Sequence, residues 1–290
     1  YTITNGSCTA SDAIIIHVDD AVDASIDPAG PYCLNDGAEV MTASTPGGTW
    51  SGPGITDAVS GIFDPYVAGS GIHTIEYSVS NGACGDVSST TITVYEKPDM
   101  FIVSMEEPSC HGMEDGWVTI QGSSTPGPYS YEWIDGSTGP TMADIGAGSY
   151  PVTVWDGHGC HMDTSLVMAE PSALNIEFTN VEPVSCNSGS DGSAHAEVTG
   201  GTAPYTLIWP DGSYGSDNHN LPAGNHCITL TDSEGCILTD CVTVIEPESI
   251  DIVTASTSDV SCYGGTDGSA TVSVSGGTPG YTYQWNDPGL

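Results

Sequence analysis

The strongest constraint in this sequence is that it repeats itself. Val184 to Trp209 reads VSCNSGSDGSAHAEVTGGTAPYTLIW, and Val260 to Trp285 reads VSCYGGTDGSATVSVSGGTPGYTYQW. A looser copy, PSCHGMEDGWVTIQGSSTPGPYSYEW, runs from Pro108 to Trp133. Cys110, Cys186 and Cys262 stand 76 residues apart, as do Trp133, Trp209 and Trp285. Cys8, Cys84, Cys160 and Cys236 keep the same 76-residue step. A period of this length means a tandem array in which each unit is one small domain.

Inside the unit the pattern alternates with a period of two. Ala194, Ala196 and Val198 share one face of a strand, and Tyr205, Leu207 and Trp209 share one face of the next. Turn dipeptides fall between the runs: Asp191-Gly192, Asp211-Gly212 and Glu234-Gly235. Six or seven short strands per unit predict an all-β chain, a tandem array of small Ig-like β-sandwich domains forming an elongated rod. The expected domains are 20–97, 98–173 and 174–249. Residues 1–19 match 77–95 and read as the end of another domain, and 250–290 read as the front of a further one. No signal peptide opens the chain, and both ends cut through repeats, so the sequence reads as a window on a longer protein. The junctions are short and stiff. Glu96-Lys97-Pro98, Glu170-Pro171 and Glu246-Pro247 each stop a strand with a residue that lacks an N–H.

Charge excludes whole classes of partner. The chain carries 38 acidic residues against one basic residue, Lys97, for a net charge of -37. Phosphate contacts need Lys and Arg, so nucleic acid is excluded as a partner. An anionic lipid surface is disfavoured for the same reason, and no apolar run reaches the ~20 residues of a membrane span. Stapling by Lys–Asn isopeptide bonds is excluded within the repeats for lack of lysine. Asn5-Gly6-Ser7 is the one N-glycosylation sequon.

Ten cysteines at regular spacing imply an oxidising compartment. Two of them frame each repeat, about 50 residues apart, and this predicts the intradomain disulfides Cys33–Cys84, Cys110–Cys160 and Cys186–Cys236. Each would add roughly 3–4 kcal/mol in the chain-entropy model. Cys227 and Cys241 flank the Glu234 turn symmetrically, so a hairpin there would set them opposite each other as a fourth bridge. The rival reading, a metal site, has no CxxC and no Cys/His cluster behind it.

Carboxylates crowd the junctions: Asp19, Asp20 and Asp23; Glu96 and Asp99; Glu246, Glu248 and Asp251. Hard cations take several such oxygens, which makes calcium the candidate cofactor. The bland reading is an acidic solvated surface with Asp-Gly turns. The runs Tyr129, Tyr131, Trp133 and Tyr281, Tyr283, Trp285 each share one face. They read as core stripes of a sandwich, with a sugar-stacking platform as the alternative. No Ser/His/Asp set, paired-carboxylate cleft or phosphate loop stands out, so no catalytic residue is assigned.

The motif VSC-x-GG-x-DGSA-x-V-x-V-x-GGT-x-x-Y-x-Y-x-W, then L-x-AG, a DxxGC turn and a strand ending in Glu-Pro, resembles the SprB repeat over roughly 98–290. Residues 20–97, with GGTWSGPGI, resemble the Ig-like domains that accompany such repeats. In the repeat at 98–173, His111 to Glu114 replace the usual Gly-Gly run, and Ser124-Thr125 stand where the next repeat has Gly200-Gly201. The resemblance implies a very large surface protein of the kind made by Bacteroidota, including gliding-motility adhesins. It further implies export by the type IX route to the outer cell surface, with no catalytic residues. The function expected is a non-enzymatic stalk or adhesive segment of an extracellular filament. Expected partners are neighbouring domains of the same chain, lateral or head-to-tail copies, and surface glycans. Two alternatives stand beside it: the shaft subunit of a self-assembling filament, and an accessory region of a secreted hydrolase.

Overall fold

The computed structural model describes residues 1–286 apart from 19 and 83. Regular structure is almost entirely strand; the described helix is one turn, Pro65–Ala68, capped by the Asp64 carboxylate and opened by proline. Among the described residues, no helix is long and apolar enough to cross a membrane. The chain divides into two compact units. One comprises Tyr1–Met105, Val118–Met142 and Ser149–Leu166; the other comprises Glu106–Trp117, Ala143–Gly148 and Val167–Leu290.

The second unit shows the repeat most plainly. Strands Asn175–Glu182, Gly192–Thr199 and Asp217–Leu221 form one sheet, and Thr206–Ile208, Gly224–Thr231 and Ile237–Val244 form the other. The first, second and fourth strands thus face the third, fifth and sixth. This is the ABE and CFG division of an immunoglobulin sandwich with strand D missing. Residues 209–216 cross between the sheets in its place. Alternation builds the core: Ile176, Ala194, Ala196, Leu207, Trp209, Leu221, Ile228, Leu230, Val242 and Val244 are buried, and their strand neighbours point outward. Trp209 sits on the third strand, 1% exposed, and its indole N–H is satisfied by the Gly215 carbonyl at 2.9 Å.

In the first unit, Tyr32–Cys33, Cys84–Tyr95, Gly71–Asn81 and Thr49–Ser51 form a four-stranded sheet, and Glu39–Val40, Ile62–Phe63 and Ile55–Asp57 form the other. Tyr32–Cys33 runs parallel to Cys84–Tyr95, pairing Tyr32 with Val94. Ile75, Tyr77 and Val79 alternate along their strand and are buried. Gly48 explains the GGTW bend: a Cβ there would lie 2.3 Å from the Ser78 carbonyl and 2.5 Å from the Tyr77 ring. Strand Ser130–Trp133 pairs with Gly148–Trp155 and buries Tyr131 and Trp133.

The turn after the second strand separates the repeats. Gly200 has φ +77°, and a Cβ would meet the Ala173 carbonyl at 1.9 Å. Ser124 occupies the matching position and keeps a left-handed φ of 72°. The departure from glycine therefore leaves the turn's shape intact, at a conformational cost of about 1 kcal/mol.

At the two ends of the described chain the strands are exposed. Thr2–Asn5 and Cys8–Ser11 form a hairpin, and Asp251–Ser258 pairs with Ser269–Ser275. Trp285, the counterpart of Trp209, is 61% exposed. Replacing Trp209 with Ala should cost about 3–5 kcal/mol, whereas Trp285→Ala should cost less than about 1 kcal/mol; chemical denaturation followed by circular dichroism distinguishes them. Ser124→Gly should raise stability by about 1 kcal/mol in the same assay, since glycine enters the left-handed region without the side-chain penalty.

Candidate functional site

The residues that look functional in the sequence converge on the cysteine bridges. Among the described residues three bridges are present: Cys33 to Cys160, Cys110 to Cys236, and Cys227 to Cys241. Cys227 and Cys241 sit directly opposite in the register of their hairpin, with Cα atoms 3.9 Å apart. The expected pairs Cys33–Cys84, Cys110–Cys160 and Cys186–Cys236 do not form. Cys33 and Cys110 instead each reach a cysteine 127 and 126 residues further on, in the following repeat. Cys8, Cys84, Cys186 and Cys262 have no disulfide partner among the described residues.

Strand geometry is the reason. The Ser-Cys loop follows the first strand of the repeat, and the Gly-Cys turn joins the last two. Strand Gly192–Thr199 begins opposite Leu221, beside the Ser-Cys loop. The Thr206–Ile208 strand begins opposite Thr231, beside the Gly-Cys turn. The two cysteines of one repeat therefore lie at opposite ends of the sandwich, an eight-residue strand apart. That is ~27 Å, far beyond the roughly 5.5–6 Å between the Cα atoms of a disulfide. The bridged pairs have Cα separations of 5.5 and 5.7 Å.

Carboxylates shape both cysteine turns. In the Ser-Cys loop, Asp115 accepts from the Ser109 N–H at 2.9 Å and from its hydroxyl at 2.6 Å. Asp191 and Asp267 accept the corresponding N–H of Ser185 and Ser261, each at 3.0 Å. The serine hydroxyls, then the serine N–H groups, hold all three carboxyls below the usual range. The glutamate of each Glu-Pro junction closes the same loop from the other side. Glu170 accepts from the Gly112 N–H at 2.6 Å and pairs with His111 at 2.9 Å. Glu246 accepts from the Ser188 N–H at 2.7 Å.

In the Asp-x-x-Gly-Cys turn, the first Asp is the organiser. Asp232 is buried and accepts from the N–H groups of Glu234, Cys236 and Thr202 at 2.9–3.0 Å. Burial pushes its carboxyl up, but the N–H groups of Thr202, Cys236, Glu234 and Gly235 outweigh this and hold it low. Asp156 repeats the bonds to His158 and Cys160 at 2.9 Å. Its Oδ2 is buried with no hydrogen-bond partner. The residue matching Thr202 is Pro126, which has no N–H to give. The two bridged repeats meet further at the Tyr95 and His158 rings, stacked at 3.8 Å, and at the Asn35 amide, which donates to the His161 carbonyl at 3.1 Å.

The calcium ligands suggested by the sequence are not assembled. Among the described residues no group of three or more His, Cys, Asp or Glu side chains could hold a metal ion. Asp23 is occupied by Ser25, Glu96 by the Ser70 hydroxyl, Asp99 by the Met100 N–H and Glu246 by the Ser188 N–H. Asp20, Glu248 and Asp251 are exposed, and Asp19 lies outside the described residues. Solvation and local N–H groups disperse carboxylates that a linear reading clusters.

An open groove of about 600 Å³ is lined by Ile250, Ile252, Val272, Val274, Tyr283 and Trp285. Its lining occupies the positions of Leu174, Ile176, Ala196, Val198, Leu207 and Trp209 one repeat earlier, which pack in a core. Tyr131 and Trp133 are buried as a core stripe, whereas Tyr283 and Trp285 are exposed. The leading tyrosine of each stripe is a brace: the Tyr205 hydroxyl donates to the Gly200 carbonyl at 2.7 Å, and those of Tyr129 and Tyr281 donate to Thr125 and Gly276.

The depressed carboxyls give stability a definite pH dependence. Asp211, bonded by the Ser213 hydroxyl, the Asn218 amide and the Ser213 N–H, is lowered to about 2. A carboxyl lower in the folded than the unfolded chain binds fewer protons when folded, so its contribution is complete above about pH 4 and is lost as pH falls toward 2. Calorimetry should show a melting temperature that holds from pH 7 to about 5 and then drops, with a smaller drop in Asp211→Asn. A constant melting temperature down to pH 2 would contradict the assignment.

The SprB repeat model matches residues 178–213 and 254–290, the front halves of two successive repeats. No curated protein matches the chain. Among solved structures, the three N-terminal domains of the bacteriophage RB49 highly immunogenic outer capsid protein are similar at 16% identity, over 61% of this chain and 70% of that one, with a TM-score of 0.39. A C-terminal 282-residue fragment of intimin, in complex with the intimin-binding domain of its translocated receptor, is similar at 14% identity, over 53% and 67%, with a TM-score of 0.29. Titin domains I67–I69 are similar at 15% identity, over 74% and 94%, with a TM-score of 0.27. Two stretches of the chain thus match the SprB repeat, within a chain that shows immunoglobulin-type sheets and a 76-residue period.

Proposed function

We propose that this chain is a non-enzymatic, load-bearing segment of a large secreted surface protein, holding an adhesive or motility-related tip away from the cell. One observation carries the reading: the long disulfides join each repeat to the next instead of closing a repeat on itself. A domain built only to fold would gain most from an internal bridge. Cross-bridging is useful where neighbours must stay together. Many residues that could have served chemistry are spent on the framework: Trp50, Trp133 and Trp209 in cores, Asp232 and Glu246 on turns, and six cysteines in bridges. The domains take the boundaries 20–97, 98–173 and 174–249. Display on the outer surface, export by the type IX route and membership in a gliding machinery are parts of this proposal, supported by the SprB repeats.

The test is immunolabelling of intact cells with antibody raised against residues 98–249. The expected result is labelling without permeabilisation, and loss of attachment to glass when the segment is deleted from the gene. Labelling that appears only after lysis would overturn the reading.

A further inference from the structure

The two long bridges overlap in sequence. One spans Cys33 to Cys160 and the other Cys110 to Cys236. We infer that tension along this chain travels through the disulfides and the segment they share, and that the backbone on either side of that segment carries none.

The covalent topology sets the route. Force entering from the N-terminal side reaches Cys33 and crosses to Cys160. It then runs back along the backbone to Cys110 and crosses to Cys236. The return leg is about 50 residues, against roughly 200 along the backbone from Cys33 to Cys236, and a stretched network becomes taut along its shortest path. Residues 34–109 and 161–235 lie off that path. The two proline junctions in those off-path stretches, at Pro98 and Pro171, are therefore slack. These are the places where a string of domains would otherwise part. The load falls instead on the sequence between Cys110 and Cys160, which supplies the buried Val118, Ile120, Trp133, Val152 and Val154.

A second consequence follows from the overlap. Every peptide bond between Cys33 and Cys236 is spanned by at least one long bridge. A single backbone cut anywhere in this range leaves the chain in one covalent piece that still transmits force. For a protein displayed among extracellular proteases this is a repair-free tolerance of damage. The inference deepens the load-bearing reading above and rests on it for its biological sense. Its physical test uses the isolated chain and is independent of where the protein is displayed, so either can fail alone.

The experiment pulls the 290-residue chain from its two ends in a force spectrometer, with and without reductant. The fully unfolded chain should reach roughly 450–500 Å when oxidised and roughly 950–1,050 Å when reduced, at the usual reach per residue, a change of about twofold. In a second arm, a specific protease site is inserted after Gly212, in an exposed turn, and cut. The oxidised chain should remain one species on a non-reducing gel and hold tension, while the double variant Cys110→Ser, Cys236→Ser should separate into two. Equal extension with and without reductant would overturn the inference, and so would separation of the cut, oxidised parent chain.

Discussion

The placement of two turns at opposite ends of one sandwich governs this molecule. The Ser-Cys loop and the Gly-Cys turn of a repeat are held apart by the length of a strand, which no disulfide can span. Each cysteine is therefore unable to serve its own domain. Where the exit end of one repeat meets the entry end of the next, the same two turns come together, and there they bond. By the chain-entropy relation a loop this long is worth roughly 5 kcal/mol, which is large for domains of such limited core. That stability is shared between neighbours, so the folded state of one repeat is coupled to that of the next.

The second theme is how an acidic chain with a single lysine satisfies its carboxylates. Ion pairing to Lys or Arg is nearly closed to it, and a net charge of -37 works against compaction. The carboxylates turn to backbone N–H groups and hydroxyls. Asp115, Asp191 and Asp267 close the Ser-Cys loops, Asp156 and Asp232 cap the Gly-Cys turns, and Glu170 and Glu246 clamp the loops from the junction. These bonds use the negative charge as an acceptor and fix the loops that present the cysteines. The acidity thus has a structural part, over and above a solvating one.

The repeat at 98–173 shows what the motif tolerates. Ser124 takes the left-handed turn that glycine takes elsewhere, and Pro126 removes the N–H that would satisfy Asp156. Both changes fall at the turn beside Cys160, and the bridge forms regardless. The turn is over-determined: the bonds from His158 and Cys160 to Asp156 suffice when the third is missing.

The sequence by itself determined the period, the all-β class and the core. Spacing of Trp133, Trp209 and the alternating Val and Ile residues is a local property, and burial of one strand face follows from it directly. The hairpin bridge Cys227–Cys241 was legible for the same reason, because two residues placed symmetrically about a turn must face each other. The long bridges were decided by the tertiary structure alone. Equal spacing makes Cys110–Cys160 and Cys110–Cys236 equally regular in the sequence, and loop closure penalises the longer span only slightly. Only the direction in which each strand crosses the sandwich tells which end a turn occupies. A strand count would have given the signal: in a seven-strand immunoglobulin plan the first and sixth turns have opposite parity and so face opposite ends. The junction carboxylates failed as a metal site for a related reason. Nearness along the chain brings Asp20, Glu96 or Glu248 close to other acids in sequence, but ligation needs oxygens converging on one point, and among the described residues these carboxylates are either exposed or, like Glu96, bonded to a nearby donor instead.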